Sequence, residues 1–177
     1  HIFMSNFIKN TEVDFIEQAL LRREESLVKI EKCLDELEEK DIWLYPNEST
    51  NSIGNQILHL CGNITQYIIA GLGNEKDHRD RDREFNTRGG ISKPELYDKL
   101  FRVVEEAKEV IINLDQDAFR KIRSVQGFEL SGIGIVLHVI EHFSYHTGQI
   151  VMWTKMIRNI DLGFYSDLNL NQKNLPE

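Results

Sequence analysis

The sequence has 177 residues, of which 41% are hydrophobic and 28% are charged, and this suits one domain with a hydrophobic core. Its formal net charge of −8 argues against a large nucleic-acid-binding surface, because phosphate binding needs clustered lysine and arginine. No secretory segment follows Met4 and no stretch is apolar enough to span a bilayer, so we expect a cytoplasmic protein without a membrane partner.

The first three residues, His-Ile-Phe, precede Met4 and are interpreted as a tag remnant, which leaves 4–177 as a single domain. The two cysteines, Cys33 and Cys61, form neither a disulfide framework nor a C-x-x-C metal motif. We expect both to be reduced thiols in the core.

The first half of the chain predicts two long helices. Helical periodicity predicts the first from about Thr11 to Glu39, followed by a loop over Asp41–Asn51. The second runs from about Ser52 to Leu72 and stops at Gly73-Asn74, a common C-terminal signal. A charged segment, Glu75–Gly90, follows, and its alternating run Asp77–Arg83 is interpreted as a solvated loop whose arginines can recognise a substrate carboxylate.

The second half predicts two more helices. Ser92, Pro94 and Glu95 combine a capping box with an early proline and begin the third helix. The stretch Asp115–Leu130 is irregular with room for a short hairpin, and the fourth helix runs from about Ser131 to Arg158.

Four amphipathic helices predict an all-α protein built as a four-helix bundle. The second helix has no charged residue between Asn51 and Asn74, and the stretch from Ser131 to Thr154 has only Glu141. Uncharged helices of this length are buried on most sides. We therefore expect the second and fourth helices to be neighbours, or one of them to line a subunit interface.

The second helix carries a polar but uncharged stripe beside its apolar face. On a helical wheel of about 100° per residue, one side collects Ser52, Asn55, Gln56, His59, Asn63 and Gln66. A solvated face would instead carry lysine and glutamate. The stripe therefore fits either the wall of a polar cavity centred on His59 or a hydrogen-bonded core or interface stripe.

Histidines recur every four residues on the fourth helix, as His138, His142 and His146. They lie near the middle of its apolar side, where three imidazoles in register would each need a hydrogen-bond partner. Adjacent members have Cβ atoms roughly 5–6 Å apart, close enough for two imidazoles to share one metal ion.

The three histidines of this helix cannot easily bind one ion together, since His138 and His146 are separated by about 12 Å along the axis. The spacing leaves two adjacent pairs open, 138/142 and 142/146, each completed by a histidine from another helix, for which His59 is the natural candidate. Three neutral imidazoles leave a position for water or substrate, as in catalytic sites. The chain has no H-E-x-x-H, so a metalloprotease would lack its usual general base.

Two segments resemble the DinB family of metalloenzymes, which includes the YfiT-like proteins: ILHLCGN (57–63) and HVIEHFSYHTGQI (138–150). That family pairs a histidine in the second helix with H-x-x-x-H in the fourth, often followed by a Gly-Gln like Gly148-Gln149. The stretch RDRDREF, Arg79–Phe85, is similar to a branch of the family without an assigned function. The resemblance covers Met4 to Ile157, and the three-histidine pattern is its most specific part.

The resemblance implies His59, His142 and His146 as ligands of one divalent ion, zinc or nickel. It also implies an up-up-down-down bundle with one long crossover, and a homodimer. Characterised relatives include transferases and isomerases that use mycothiol, bacillithiol or glutathione, so a low-molecular-weight thiol and a small-molecule substrate are implied. The additional His138 is a departure from the simplest pattern and leaves an alternative pairing open.

Residues around these ligands are candidates for supporting roles. Glu141 either orients His138 or meets a cation on a neighbouring helix. Asn63 and Gln149 each lie one turn from a ligand candidate and are placed to hold water or substrate. Tyr145 and His138 are the candidate acid–base groups, although a buried tyrosine near a tryptophan is also typical of packing.

The incomplete ligand set favours a metal-dependent enzyme of transfer or hydrolysis type. The alternatives are a stress-related protein that binds a metal or small ligand without catalysis, and an oligomeric scaffold with a structural metal. The absence of an unmistakable general base favours the alternatives.

Overall fold

The computed structural model describes residues 11–174, and the predicted tag remnant lies outside this range. The described chain is mostly helical and carries one small two-stranded sheet, so the all-α class is confirmed in this broad form. In chain order the helices are α1 (Thr11–Glu36), α2 (Glu39–Ile42), α3 (Ile53–Ile64), α4 (Arg81–Asn86), α5 (Lys93–Ile112), α6 (Gln116–Arg120) and α7 (Gly132–Arg158). None of the described helices has both the length and the apolarity that a membrane crossing requires.

The long helices enclose one apolar core. Helix α1 packs against α5 and α7, and α3 packs against the same two helices. Each contributes side chains that are 0% exposed, among them Ile30, Ile57, Leu100 and Ile135. The expected contact between the second and fourth predicted helices is therefore confirmed, as α3 against α7.

The first helix is shorter than predicted. It ends at Glu36, and Glu38 has an extended backbone (φ −84°, ψ 161°) that starts the separate short helix α2. The Glu38 backbone N–H donates to Asp41 Oδ2 at 2.9 Å and stabilises this new start.

Helix α3 begins as predicted, with Ser52 accepting a hydrogen bond from the Asn55 backbone N–H. Every residue of α3 except Gly62 is buried, which explains why the sequence carries no charge here. The helix then continues as a wider π-helical turn over Thr65–Ala70, which the periodicity did not predict.

The remaining elements follow the predicted order. Ser92 and Glu95 form the capping box of α5, and Ser131 caps α7. The predicted hairpin is present as β1 (Ile122–Val125) paired antiparallel with β2 (Phe128–Ser131). Neither α6 nor α4 was predicted, and α4 corrects the prediction of a loop over Glu75–Gly90.

Helix α7 leaves part of its apolar surface uncovered in the single chain. Four side chains between 40% and 62% exposed form what we call the outer stripe of α7: Ile133, Leu137, Met152 and Met156. The expectation that an uncharged helix is buried on most sides is therefore met by α3 and only partly by α7.

Candidate metal site

Three histidines from two packed helices meet in one cluster. Helix α3 contributes His59, and successive turns of α7 contribute His142 and His146. One ring nitrogen from each lies within 4.8 Å of the others, and the ring centroids are 4.6 to 5.0 Å apart. Such a group can hold a metal ion. We call these three residues the histidine cluster.

The spacing within the histidine cluster fits a metal ion. The Nε2 atoms of His59 and His142 are 2.8 Å apart, so one ring donates a hydrogen bond to the other. Two imidazole nitrogens bound to one tetrahedral zinc at 2.0–2.1 Å would be about 3.3 Å apart, so this pair would separate by about 0.5 Å, and a pair at the 4.8 Å limit would close by about 1.5 Å. His146 Nδ1 is buried without a hydrogen-bond partner within residues 11–174, which leaves this residue with unused bonding capacity.

The two histidines of the cluster that lie on α7 are neutral near pH 7. Burial lowers the pKa of His142 to about 3, and the nearby imidazoles of His146, His59 and His138 act in the same direction. Burial and the neighbouring His59 lower the pKa of His146 to about 4, against the effect of a hydrogen bond with Gln149. A neutral imidazole offers the lone pair that a metal ion requires.

A buried carboxylate orients the third histidine. His59 Nδ1 lies 2.9 Å from Glu84 Oε2, and both side chains are 8% exposed. Arg79 Nη2 lies 3.1 Å from the same ring nitrogen, but a nitrogen that donates to Glu84 cannot also accept from Arg79. We assign the proton of His59 to Nδ1, because the carboxylate is the charged acceptor. Its Nε2 lone pair then faces the other two histidines.

Glu84 is itself held by a buried arginine. Arg79 donates from Nε to Oε1 at 2.8 Å and from Nη2 to Oε2 at 2.9 Å, with its side chain 3% exposed. Its remaining nitrogen, Nη1, donates to Gln66 Oε1 at 2.9 Å. Burial alone would raise the pKa of Glu84, but hydrogen bonds from Arg79 and His59 outweigh burial and hold that pKa below its ordinary value. Glu84 is therefore ionised when it orients His59.

The polar stripe of α3 fixes this charged segment in place. Asn55 Nδ2 donates to the backbone carbonyls of Glu84 at 2.8 Å and Thr87 at 2.9 Å. At Gly62 any Cβ would overlap Glu84 Oε1, so the carboxylate sits where only glycine leaves room. Asn55, His59 and Gln66 thus belong to a hydrogen-bonded interface, one of the two interpretations left open by the sequence.

The prediction of a solvated loop over Asp77–Arg83 is wrong for Arg79, whose side chain is buried. Sequence reasoning also missed Glu84 as a partner of His59. The polar, uncharged stripe of the second predicted helix was a signal in the sequence, because such a stripe, when buried, needs hydrogen-bond partners from another segment of the chain. The charged run follows that helix directly in the chain.

His138 lies beside the histidine cluster rather than in it. Its Nε2 accepts from Asn63 Nδ2 at 3.3 Å, and its ring stacks on Tyr67 with centroids 4.2 Å apart. Burial lowers the pKa of His138, while the charge of the exposed Glu141 acts in the opposite direction. Asn63 is buried, and its Oδ1 has no partner among the described residues.

Tyr145 and Gln149 border the other side of the histidine cluster. The Tyr145 ring centroid lies 5.1 Å from that of His146 and 6.4 Å from that of His142. Tyr145 is 63% exposed, so the interpretation of a buried packing tyrosine is wrong. Gln149 lies three residues after His146 on α7 and acts to raise the pKa of that histidine.

The sequence over residues 10–167 matches a protein family described as a protein of unknown function (DUF1572). Comparison with curated proteins finds no match.

Proposed function

Since this chain belongs to the DUF1572 family, whose description names no activity, we propose from its own residues that it is a metal-dependent enzyme. His59, His142 and His146 would hold one divalent ion, zinc or nickel, in a DinB-like up-up-down-down four-helix bundle. The observation that carries the proposal is the meeting of three imidazole nitrogens within 4.8 Å. The carboxylate behind His59 supports it, because histidine ligands of metals usually donate their second N–H to such a group.

The proposed reaction is a transfer to or from a low-molecular-weight thiol, or a hydrolysis, on a small-molecule substrate. Held by these three histidines, a divalent ion would keep a position for substrate and would lower the pKa of a water or thiol bound there. The Tyr145 hydroxyl is our candidate to pass a proton, since its ring adjoins both α7 histidines and is open to solvent. His138 is the second candidate, and Asn63 would position the substrate from α3.

A second function is favoured by one observation. Glu84, the buried carboxylate of the site, accepts from Arg79 and His59 with both oxygens and is not free to act as a general base. The alternative is therefore a protein that binds a metal ion or small ligand without catalysis. It would share the same ligands.

Metal analysis of the full chain, purified without a polyhistidine tag, tests the metal proposal. We expect close to one equivalent of zinc or nickel per chain, and less than about a tenth of an equivalent of any metal would contradict it. A screen with several low-molecular-weight thiols then separates the two functions. Turnover that chelation removes and zinc or nickel restores supports the enzyme, whereas tight metal binding without turnover supports the alternative.

We also propose that the protein is a homodimer that buries Ile133 and Leu137, the N-terminal half of the outer stripe of α7. Exposed apolar surface of this kind usually marks an interface. Light scattering at tens of micromolar should give a dimer mass, and Leu137→Glu, which places a charge on this half of the stripe, should give a monomer. A monomer mass for the unmodified chain would contradict the proposal. Val28→Glu is a matched control, because Val28 is 51% exposed on α1 and outside the stripe.

A further inference from the structure

A cavity of about 600 Å³ adjoins the histidine cluster, between the loop before α3 and the second half of α7. This volume lies in the range of small-molecule sites. Its walls include Gln56, Tyr145, Gln149, Met152, Trp153 and Met156. Tyr145 and Gln149 also contact His146, so the cavity and the histidine cluster share a wall. We call it the α7 cavity.

The described residues that line the α7 cavity carry no charge. By contrast, a cavity of about 560 Å³ on the other side of α3 has a charged lining, which includes Arg79, Arg83, Glu84 and Lys99. In the metal-free chain, a charged ligand entering the α7 cavity would lose hydration without gaining an opposite charge from the lining, which is unfavourable. The lining therefore selects for an uncharged molecule.

Two residues of this wall each carry a polar side-chain atom that is buried and unpartnered. Trp153 Nε1, a donor, and Gln56 Oε1, an acceptor, have no hydrogen-bond partner within residues 11–174. Gln56 is only 6% exposed. Buried polar groups in folded proteins are nearly always hydrogen-bonded. An unpaired donor and an unpaired acceptor on two residues of the same cavity therefore indicate a ligand that carries one acceptor and one donor.

We propose that the α7 cavity binds an uncharged small molecule in which an amide-like group is attached to an apolar group. The carbonyl oxygen accepts from Trp153 Nε1, and the neighbouring N–H donates to Gln56 Oε1. The apolar part packs on Met152 and Met156, whose unbranched, exposed side chains can move to admit it. The role of this molecule as substrate rests on the proposed function, but its binding does not require the metal.

Benzamide is a suitable probe, because it carries both halves of the pair on an uncharged ring. The full-length chain is titrated, metal-free and zinc-loaded, while the indole N–H resonances of its two tryptophans are followed by NMR. Trp43 Nε1 already donates to Ile91 O at 3.1 Å and serves as an internal reference. We expect a saturable downfield shift of the Trp153 resonance and none of Trp43.

Two related compounds test the chemistry of recognition. Benzoate has the same shape but is charged and lacks the N–H, and methyl benzoate is uncharged but also lacks it. Each should bind at least about tenfold more weakly than benzamide, because one hydrogen bond is lost and Gln56 Oε1 stays unpaired. Gln56→Met should weaken benzamide by a similar factor and leave methyl benzoate unchanged. The matched control is Gln18→Met, an exposed glutamine on α1, with an unchanged Trp43 resonance as the check on folding.

Three results would overturn the inference: no saturable shift of Trp153 up to about 50 mM benzamide, benzoate binding to the metal-free chain as tightly as benzamide, or no effect of Gln56→Met. Benzamide binding to a chain that fails to hold a metal would support the α7 cavity and contradict only the proposed metal function. Metal binding without benzamide binding would contradict only the proposed ligand of the α7 cavity.

Discussion

The two sides of the histidine cluster are built on opposite principles. On the side of α4, the side chains of Arg79 and Glu84 are buried, and every guanidinium nitrogen and both carboxylate oxygens are hydrogen-bonded to each other, His59 or Gln66. On the side of the α7 cavity, Gln56 and Trp153 keep unpartnered polar atoms among exposed methionines. The first side fixes the direction of a ligand nitrogen, and the second leaves bonding capacity for another molecule.

The difference follows from the energetics of burial. Removing a charged pair from water costs several kcal/mol per ion, so Arg79 and Glu84 gain little net stability from their mutual attraction. Their arrangement instead specifies one orientation for His59, since any other position leaves a buried charge unpaired. Burying a neutral polar group without a hydrogen bond costs less free energy than burying an unpaired charge. The α7 side can therefore tolerate the unpartnered atoms of Gln56 and Trp153.

The largest expected effect is on metal binding, and it distinguishes the histidine cluster from the neighbouring His138. His142→Ala and His146→Ala should each abolish measurable zinc or nickel binding, because each removes one of three protein ligands. His138→Ala should weaken binding by no more than about 10–100-fold, since His138 supports the site from outside. Isothermal titration of the metal into chelated protein measures all three. Complete loss in all three variants would mean that the α7 pair has been assigned incorrectly.

The next effect tests the charged side directly. Glu84→Gln keeps the size of the side chain but removes the charge that orients His59 and pairs with Arg79, and metal affinity should fall about 10–100-fold. Glu141→Gln is the matched control, because it removes an exposed carboxylate near His138. If Glu141→Gln reduces affinity as much as Glu84→Gln does, the two carboxylates act only through net charge. The orienting role of Glu84 would then be lost.

What the sequence predicts well is what local patterns encode. Capping residues such as Ser92 and Ser131 marked helix starts that the structure confirms, because a cap satisfies backbone N–H groups within one turn. The four-residue spacing of the α7 histidines required only that the segment be helical. Choosing His59 and the 142/146 pair needed the family resemblance, since spacing left two pairs open.

What the sequence does not predict depends on contacts between distant segments. The burial of Arg79 and Glu84 follows from the docking of α4 on α3, which composition alone describes as a charged and therefore exposed run. The end of α1 is an exception, because Glu38 and Asp41 form a local capping box that begins α2, and the apolar periodicity that continues to Leu37 did not reveal it. The exposure of Tyr145 could not be inferred from an apolar face whose partners were unknown.

A smaller effect compares two glycines, one on each side of the histidine cluster. In Gly62→Ala the new Cβ overlaps Glu84 Oε1, so the carboxylate must move and the free energy of unfolding should fall by about 1–3 kcal/mol. In Gly148→Ala the Cβ meets nothing within 4 Å, and better helix propensity should raise that free energy by up to about 1 kcal/mol. Urea unfolding of both variants measures the difference. Equal stabilisation by the two substitutions would show that the charged side is loosely packed.

The smallest expected effect concerns the reactivity of the two cysteine thiols. It tests whether the charged side of the histidine cluster contains a reactive group. Cys61 lines the cavity next to Arg79 and Glu84 but is 2% exposed, and burial raises its pKa to about 12. Burial likewise raises the pKa of Cys33, a core residue of α1. Since the thiolate is the reactive form, both thiols should react with Ellman's reagent at pH 8 only after unfolding.

The double variant Cys33→Ser, Cys61→Ser should keep the metal stoichiometry and any metal-dependent activity of the unmodified chain, even if the buried hydroxyls lower its stability. Rapid labelling of Cys61 in the folded protein, or activity that survives chelation and disappears with Cys61, would place the chemistry on the α4 side. The two sides would then have exchanged roles, with the thiol beside Glu84 reacting and the histidine cluster only supporting it.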